Sequence, residues 1–189
     1  MGGVISLVIS NRLDAGGLSI AQNAGIETAL IDHQRYPTRE AFDQDLAGAI
    51  DSAQPDLVVL AGFMRILTPE FVARFSERLM NIHPSLLPLY PGLHTHQRAL
   101  DNGDSHAGAT VHYVTGELDG GPPVLQAKVP VNSGDDADAL AARVLAVEHQ
   151  IYPVAINWHL CGRLTWEDGS LIKDGMPVPP SGELWESTS

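Results

Sequence analysis

After Asp56 the chain runs Leu57-Val58-Val59-Leu60-Ala61 without a polar interruption, and this short segment constrains the fold more than any other. It is β-branched, too short for an ordinary helix and bounded by Pro55 and Gly62, so it predicts a strand over Asp56 to Ala61. An unbroken apolar strand suits burial on both faces, the condition inside a parallel sheet. Parallel neighbours need crossovers, and the flanking sequence supplies them. Thr38 is placed to cap a helix running from Arg39 to about Ala53, with Phe42, Leu46, Ala49 and Ile50 at helical spacing. Thr68 caps a second helix that has Pro69 at its first position, and Arg78 to Ile82 follows as the next strand.

The same reading extends to both ends. Val4 to Ser10 predicts a buried strand, Leu18 to Gly25 a short helix and Ile26 to Ile31 a strand. His83 to Gly92 carries three prolines and predicts a rigid loop, and Leu93 to Asn102 a helix. Ala107 to Val114 and Val124 to Val131 alternate like half-exposed strands, joined through Gly-Gly-Pro-Pro as a hairpin. Asp135 to Leu160 predicts the longest helix, which Pro153 kinks or ends. Residues 163–189 predict a small hairpin around Leu164 to Ile172 and a loose tail over the last ten residues. The expected architecture is one α/β domain over residues 1–189. Its sheet is doubly wound and mainly parallel, with an antiparallel C-terminal extension. In such sheets ligands bind beyond the carboxyl ends of the strands, which singles out the loops Gly62 to Leu67 and His83 to Gly92.

Charge narrows the function. Among 189 residues, 23 Asp and Glu face 11 Lys and Arg, a formal net charge of -12. Such a chain is a poor general binder of nucleic acid, which needs clustered cations, and no stretch approaches a membrane span. A single cysteine, Cys161, excludes an internal disulfide framework and a Cys-based zinc site; it reads as a small buried apolar residue. Met1 to Ile5 lacks a cationic leader, so the expected address is the cytoplasm.

Asn81 and His83 close a strand at its ligand-binding edge, and alternation places them on one side. An amide donor beside a group that shuttles protons near neutral pH suits the stabilisation of an oxyanion during acyl transfer. Glu117-Leu118-Asp119-Gly120-Gly121 reads on its own as turn chemistry, and spacing does not bring Asp119 to His83. His94 and His96 stand two apart on an expected helix and point away from one another, so no shared metal is expected, with His106 and His112 downstream. Met64, Ile66 and Leu67 place apolar side chains in a ligand-edge loop, suited to a flat apolar ring system.

Taken together, Asn81-Ile82-His83-Pro84-Ser85-Leu86-Leu87-Pro88 resembles the signature of the folate-dependent formyltransferases. Leu60-Ala61-Gly62-Phe63-Met64-Arg65-Ile66-Leu67 is similar to the folate-loop segment of that superfamily. Tyr90 to Gln97 and Glu117 to Pro122 resemble the branch that serves purine synthesis, and fit the tRNA-directed and hydrolytic branches less well. The resemblance covers roughly Val4 to Glu167. It implies transfer of a formyl group from 10-formyltetrahydrofolate, the co-substrate, to the amine of glycinamide ribonucleotide. It also implies small-molecule partners, no metal, and a monomer or homodimer. Asn81, His83 and Asp119 match the family's catalytic trio. Met64, Arg65, Ile66 and Leu67 match its folate-contacting loop, together with Arg39, Asn81 and the segment Thr115, Gly116, Glu117, Leu118 and Asp119. Glu148 matches a contact to the ribonucleotide. Members of the family open with a strand and a Gly-x-Gly-Ser-Asn loop that cradles the ribonucleotide phosphate. Here Ser10-Asn11 corresponds to the second strand–helix unit. A truncated or variant N-terminus is therefore expected, with weak ribonucleotide binding, impaired activity and an intact folate side.

Overall fold

The structure is a computed structural model that describes residues 2–185. Strands and helices alternate first: β1 (Val8–Ser10), α1 (Gly16–Asn23), β2 (Thr28–Leu30), α2 (Arg39–Ala53), β3 (Val58–Leu60), α3 (Pro69–Arg74), β4 (Leu79–His83) and α4 (Thr95–Asp101). An antiparallel hairpin of β5 (His106–Tyr113) and β6 (Pro123–Pro130) follows, then α5 (Ala137–Leu160). The C-terminal part holds β7 (Leu164–Glu167), β8 (Ser170–Lys173), β9 (Met176–Pro177) and β10 (Glu183–Leu184). The fold is α/β. β1 pairs with β2, β3 with β4 and β6 with β10 in parallel, and the rest of the pairing is antiparallel.

The strands form three sheets: β1-β2, β10-β6-β5-β4-β3 and β7-β8-β9. Among the described residues β1 does not pair with β3, so β3 is an edge strand of the central sheet. This changes two expectations. Val58 is buried but Val59 is exposed, so β3 is not covered on both faces along its length. The first strand is confined to Val8–Ser10, leaving Val4 and Ile5 exposed, because only residues 8–10 meet β2.

The helix caps follow the sequence. The Thr38 hydroxyl accepts from the Ala41 N–H, and Thr68 accepts from Phe71. Asp43, buried on α2, accepts from the Thr68 N–H at 2.6 Å and ties the second cap to the first helix. Phe42, Leu46 and Ile50 of α2 pack with Phe71 and Phe75 into one core. A second core lies between α5 and the hairpin, through Val111, Leu125, Ala127, Leu140, Val144 and Ile151.

The hairpin is buried on both faces, not half-exposed. One face meets α5. The other is roofed by the chain after β4: the Leu87 N–H donates to Thr110 Oγ1, Thr110 Oγ1 donates to the Ser85 carbonyl, and the Gln126 amide donates to the Leu87 carbonyl. Thr110 and Gln126 look like surface residues in the local pattern, yet they serve a buried polar seam. Pro153 neither ends nor interrupts α5, which continues to Leu160. Cys161 lies just past the end of α5 and is exposed, outside the helix face that packs on the sheet. The expected C-terminal hairpin is present as β7 and β8 and gains a third strand, β9. Glu183–Leu184 add β10 to the sheet edge, and residues 186–189 of the expected loose tail lie outside the described residues. Among the described residues no helix is long and apolar enough to cross a membrane.

Tyr152 joins α5 to two parallel strands, at the last residue of β3 and the second of β4. Its hydroxyl lies 2.7 Å from the Leu60 carbonyl and 2.9 Å from that of Met80, and burial pushes its ionisation well above the usual phenol range. Tyr152→Phe removes a donor shared by two buried carbonyls. It is expected to cost about 1–2 kcal/mol, read as a lower midpoint of denaturant unfolding with an unchanged slope.

Candidate active site

β4 delivers the site because its partner β5 runs beside it in register, Asn81 opposite His112 and His83 opposite Thr110. Alternation then puts Asn81, His83, Thr110 and His112 on one face, under the roof formed by the loop after β4. His83 is buried. Its Nε2 lies 2.9 Å from the Tyr90 carbonyl, which can only accept, so Nε2 carries a hydrogen. Nδ1 is the ring nitrogen left to face the reaction, and it lies 3.5 Å from Asp119 Oδ2.

Asp119 arrives from the connection between β5 and β6. Its neighbours Glu117 and Leu118 are exposed, while the Asp119 side chain is only 11% exposed. Two backbone features turn it inward. Asp119 sits at φ 51, a left-handed conformation that Asp tolerates better than most residues. Its Oδ2 also accepts from the Gly92 N–H at 2.8 Å, binding the loop after β4 to the hairpin connection. Gly121 lets that connection lie against the sheet: a Cβ there would meet the Tyr113 carbonyl oxygen at 1.8 Å.

Asn81 Nδ2 lies 3.2 Å from His112 Nε2, and Asp119 Oδ1 is 4.0 Å from the same nitrogen. Asn81, His83 and Asp119 are thus one cluster, although Asp119 is remote from the other two in sequence. Local spacing did not predict that meeting; register across β4, β5 and their connections creates it. The sequence offers His112 only as a possible metal ligand and does not mark it as a member of the cluster. What sets it opposite Asn81 is the antiparallel register of β4 with β5, which local spacing does not reveal.

The other candidates stand in different relations to this centre. β3 and β4 are parallel with Leu60 opposite Asn81, so the Gly62 to Leu67 loop leaves the sheet at the same end as His83. Met64 and Ile66 are exposed there, and Leu118 is exposed beside Asp119. Arg65 is half-buried with its guanidinium 5.2 Å from the Phe42 ring centre, and Leu67 packs against the core containing Phe42. Thr115, Gly116 and Glu117 form the exposed start of the connection that ends at Asp119. Arg39 is the first residue of α2 and lies 3.9 Å from Glu40. Glu148 is half-buried on α5, and burial raises its carboxyl above the usual range. Among the described residues, no hydrogen bond or ion pair links Arg39 or Glu148 to the central cluster. His94 precedes α4 in a left-handed conformation and His96 lies within it. Among the described residues no three His, Cys, Asp or Glu side chains gather as a metal site.

The family model for "Formyl transferase" matches residues 1–156. The phosphoribosylglycinamide formyltransferase of Escherichia coli K12 is 53% identical over 180 residues, 95% of this chain and 85% of that protein. The trifunctional purine biosynthetic protein adenosine-3 of Drosophila pseudoobscura is 45% identical over 160 residues, covering 85% of this chain and 12% of that much longer protein. Among solved structures, the Coxiella burnetii phosphoribosylglycinamide formyltransferase in complex with CHES superposes with a TM-score of 0.92 at 46% identity. It covers 97% of this chain and 86% of its own. A match over most of the chain, high identity and a shared fold agree, and the chain belongs to the formyl transferase family.

Proposed function

We propose that this protein transfers a formyl group from 10-formyltetrahydrofolate to the primary amine of glycinamide ribonucleotide, a step of purine synthesis. The observation that carries the reading is the convergence of Asn81, His83 and Asp119 at the carboxyl end of β4. It matches the chemistry named for relatives of high identity.

The residue types fit the steps. The substrate amine attacks the formyl carbon, a carbon–nitrogen bond forms and the carbonyl oxygen becomes negative. Donors already in place stabilise that charge without reorganising, and the Asn81 N–H is one; His83, with Nε2–H held by the Tyr90 carbonyl, is a second in its cationic form, when Nδ1 also carries a hydrogen. Collapse breaks the bond to the folate nitrogen, which gains a proton, while the amine loses one. Asp119 beside Nδ1 accepts and returns protons directly or through a water. The exposed Met64, Ile66 and Leu118 side chains offer an apolar surface for the flat ring of the folate. Arg65, Leu67, Arg39 and the Thr115, Gly116 and Glu117 segment complete that side, and the half-buried Glu148 serves the ribonucleotide. Small polar substrates and a single unpaired cysteine agree with a cytoplasmic enzyme.

The test is an absorbance assay of folate deformylation with and without glycinamide ribonucleotide. Formyl loss that depends on the ribonucleotide, with one formylated amine per folate released, is expected. Equal formate release without the acceptor would replace transfer by hydrolysis, and transfer only to a different amine would reassign the acceptor.

A further inference from the structure

His112 is the most enclosed ionisable ring of the cluster, 2% exposed, and the proposed chemistry gives it no task. Its Nδ1 lies 2.9 Å from the Tyr113 carbonyl oxygen. A carbonyl has no hydrogen to give, so Nδ1 must donate. Two further groups bear on the ring: Asp119 Oδ1 at 4.0 Å from Nε2, and His83 nearby on the same face. Burial pushes the imidazole below its ordinary range and His83 acts in the same sense, while the Tyr113 carbonyl and Asp119 oppose them less strongly. With one hydrogen on Nδ1, Nε2 is a bare acceptor, and Asn81 Nδ2 lies 3.2 Å away to donate to it.

We propose that His112 is a positioning residue: held as the Nδ1–H tautomer, it fixes which way the Asn81 carboxamide faces. An amide nitrogen carries two hydrogens, and only one is used by His112. Among the described residues the second has no protein acceptor, so it remains for a substrate oxygen. Were the amide turned over, Oδ1 would face the lone pair of Nε2 and the donor would be lost from both places. The ring thereby chooses between two orientations of nearly equal shape, only one of which can stabilise negative charge. This role rests on the formyl-transfer reading for its consequence and on the hydrogen-bond geometry alone for its existence.

Two experiments separate those dependences. In the wild-type protein, nitrogen NMR of the labelled imidazoles at about pH 8, above the ordinary imidazole range, is expected to show His112 with hydrogen on Nδ1 and a bare Nε2. A hydrogen on Nε2 would overturn the proposal whether or not the enzyme transfers formyl groups. In the kinetic test, His112→Phe is expected to lower kcat about tenfold, the scale of one neutral hydrogen bond. Both KM values should move less than about threefold, since Asn81 acts after binding. His112→Gln, whose side-chain oxygen can accept where Nε2 did, should recover most of the loss. Adding His112→Phe to Asn81→Ala should cost little more, because the two changes remove one interaction. A wild-type rate in folded His112→Phe, no recovery in His112→Gln, or multiplied losses in the double variant would each refute positioning. If wild-type protein transfers no formyl group, the functional reading fails and the NMR result still decides the tautomer.

Discussion

His83→Ala is expected to lower turnover about 10²-fold or more, with far smaller changes in the KM of either substrate. The ring is buried, and the Tyr90 carbonyl fixes its hydrogen on Nε2, so Nδ1 has one direction in which to work. That direction holds Asp119, 3.5 Å away. Removing the ring takes away a donor to the developing oxyanion and one partner in proton transfer, both of which matter after the substrates are bound. Steady-state kinetics with each substrate varied in turn checks this. A raised KM with unchanged kcat would make His83 a binding residue. The cavity left by the ring also lowers stability, so circular dichroism must first show a folded protein.

Asp119→Asn is expected to produce a loss of similar size, about 10²-fold in turnover. Asparagine tolerates the left-handed backbone at φ 51, and its side-chain oxygen can still accept from the Gly92 N–H. The loop therefore keeps its anchor while the negative charge beside His83 Nδ1 disappears. Asp119→Ala removes both, and should lose turnover and also loosen the connection that Gly121 and Gly92 hold in place. Turnover near wild type in Asp119→Asn, with the alanine variant crippled, would mean that Asp119 acts only as a structural strap. Comparing the two variants by kcat, and by proteolysis of the 115–121 segment, separates charge from anchoring.

The elements that local chemistry specifies were legible in the sequence. Thr38 and Thr68 cap the helices they were expected to cap, Pro69 takes the first helical position, and the apolar run around Val58 forms a strand parallel to β4. Asn81 and His83 share a face because strand alternation requires it. What depends on distant partners was not legible. The hairpin alternates in sequence, yet the Ser85 to Leu89 segment covers its polar face and buries Thr110 and Gln126. The two-residue strand β10 is created by pairing with β6 and has no pattern of its own. Cys161 is small and apolar in type but follows the last turn of α5, where nothing covers it. Asp119 is the clearest case. A carboxylate followed by two glycines reads as turn chemistry, and only the Gly92 N–H and the backbone conformation at 119 turn it toward His83.

The most direct test of the site is a double-variant cycle on His83 and Asp119. Turnover is measured for wild type, His83→Ala, Asp119→Asn and the pair together. If the imidazole and the carboxylate act as one unit, the double variant will be slower than the worse single variant by no more than about threefold. Losses that multiply, near 10⁴-fold in the pair, would show two groups working independently and would contradict a shared proton path between them.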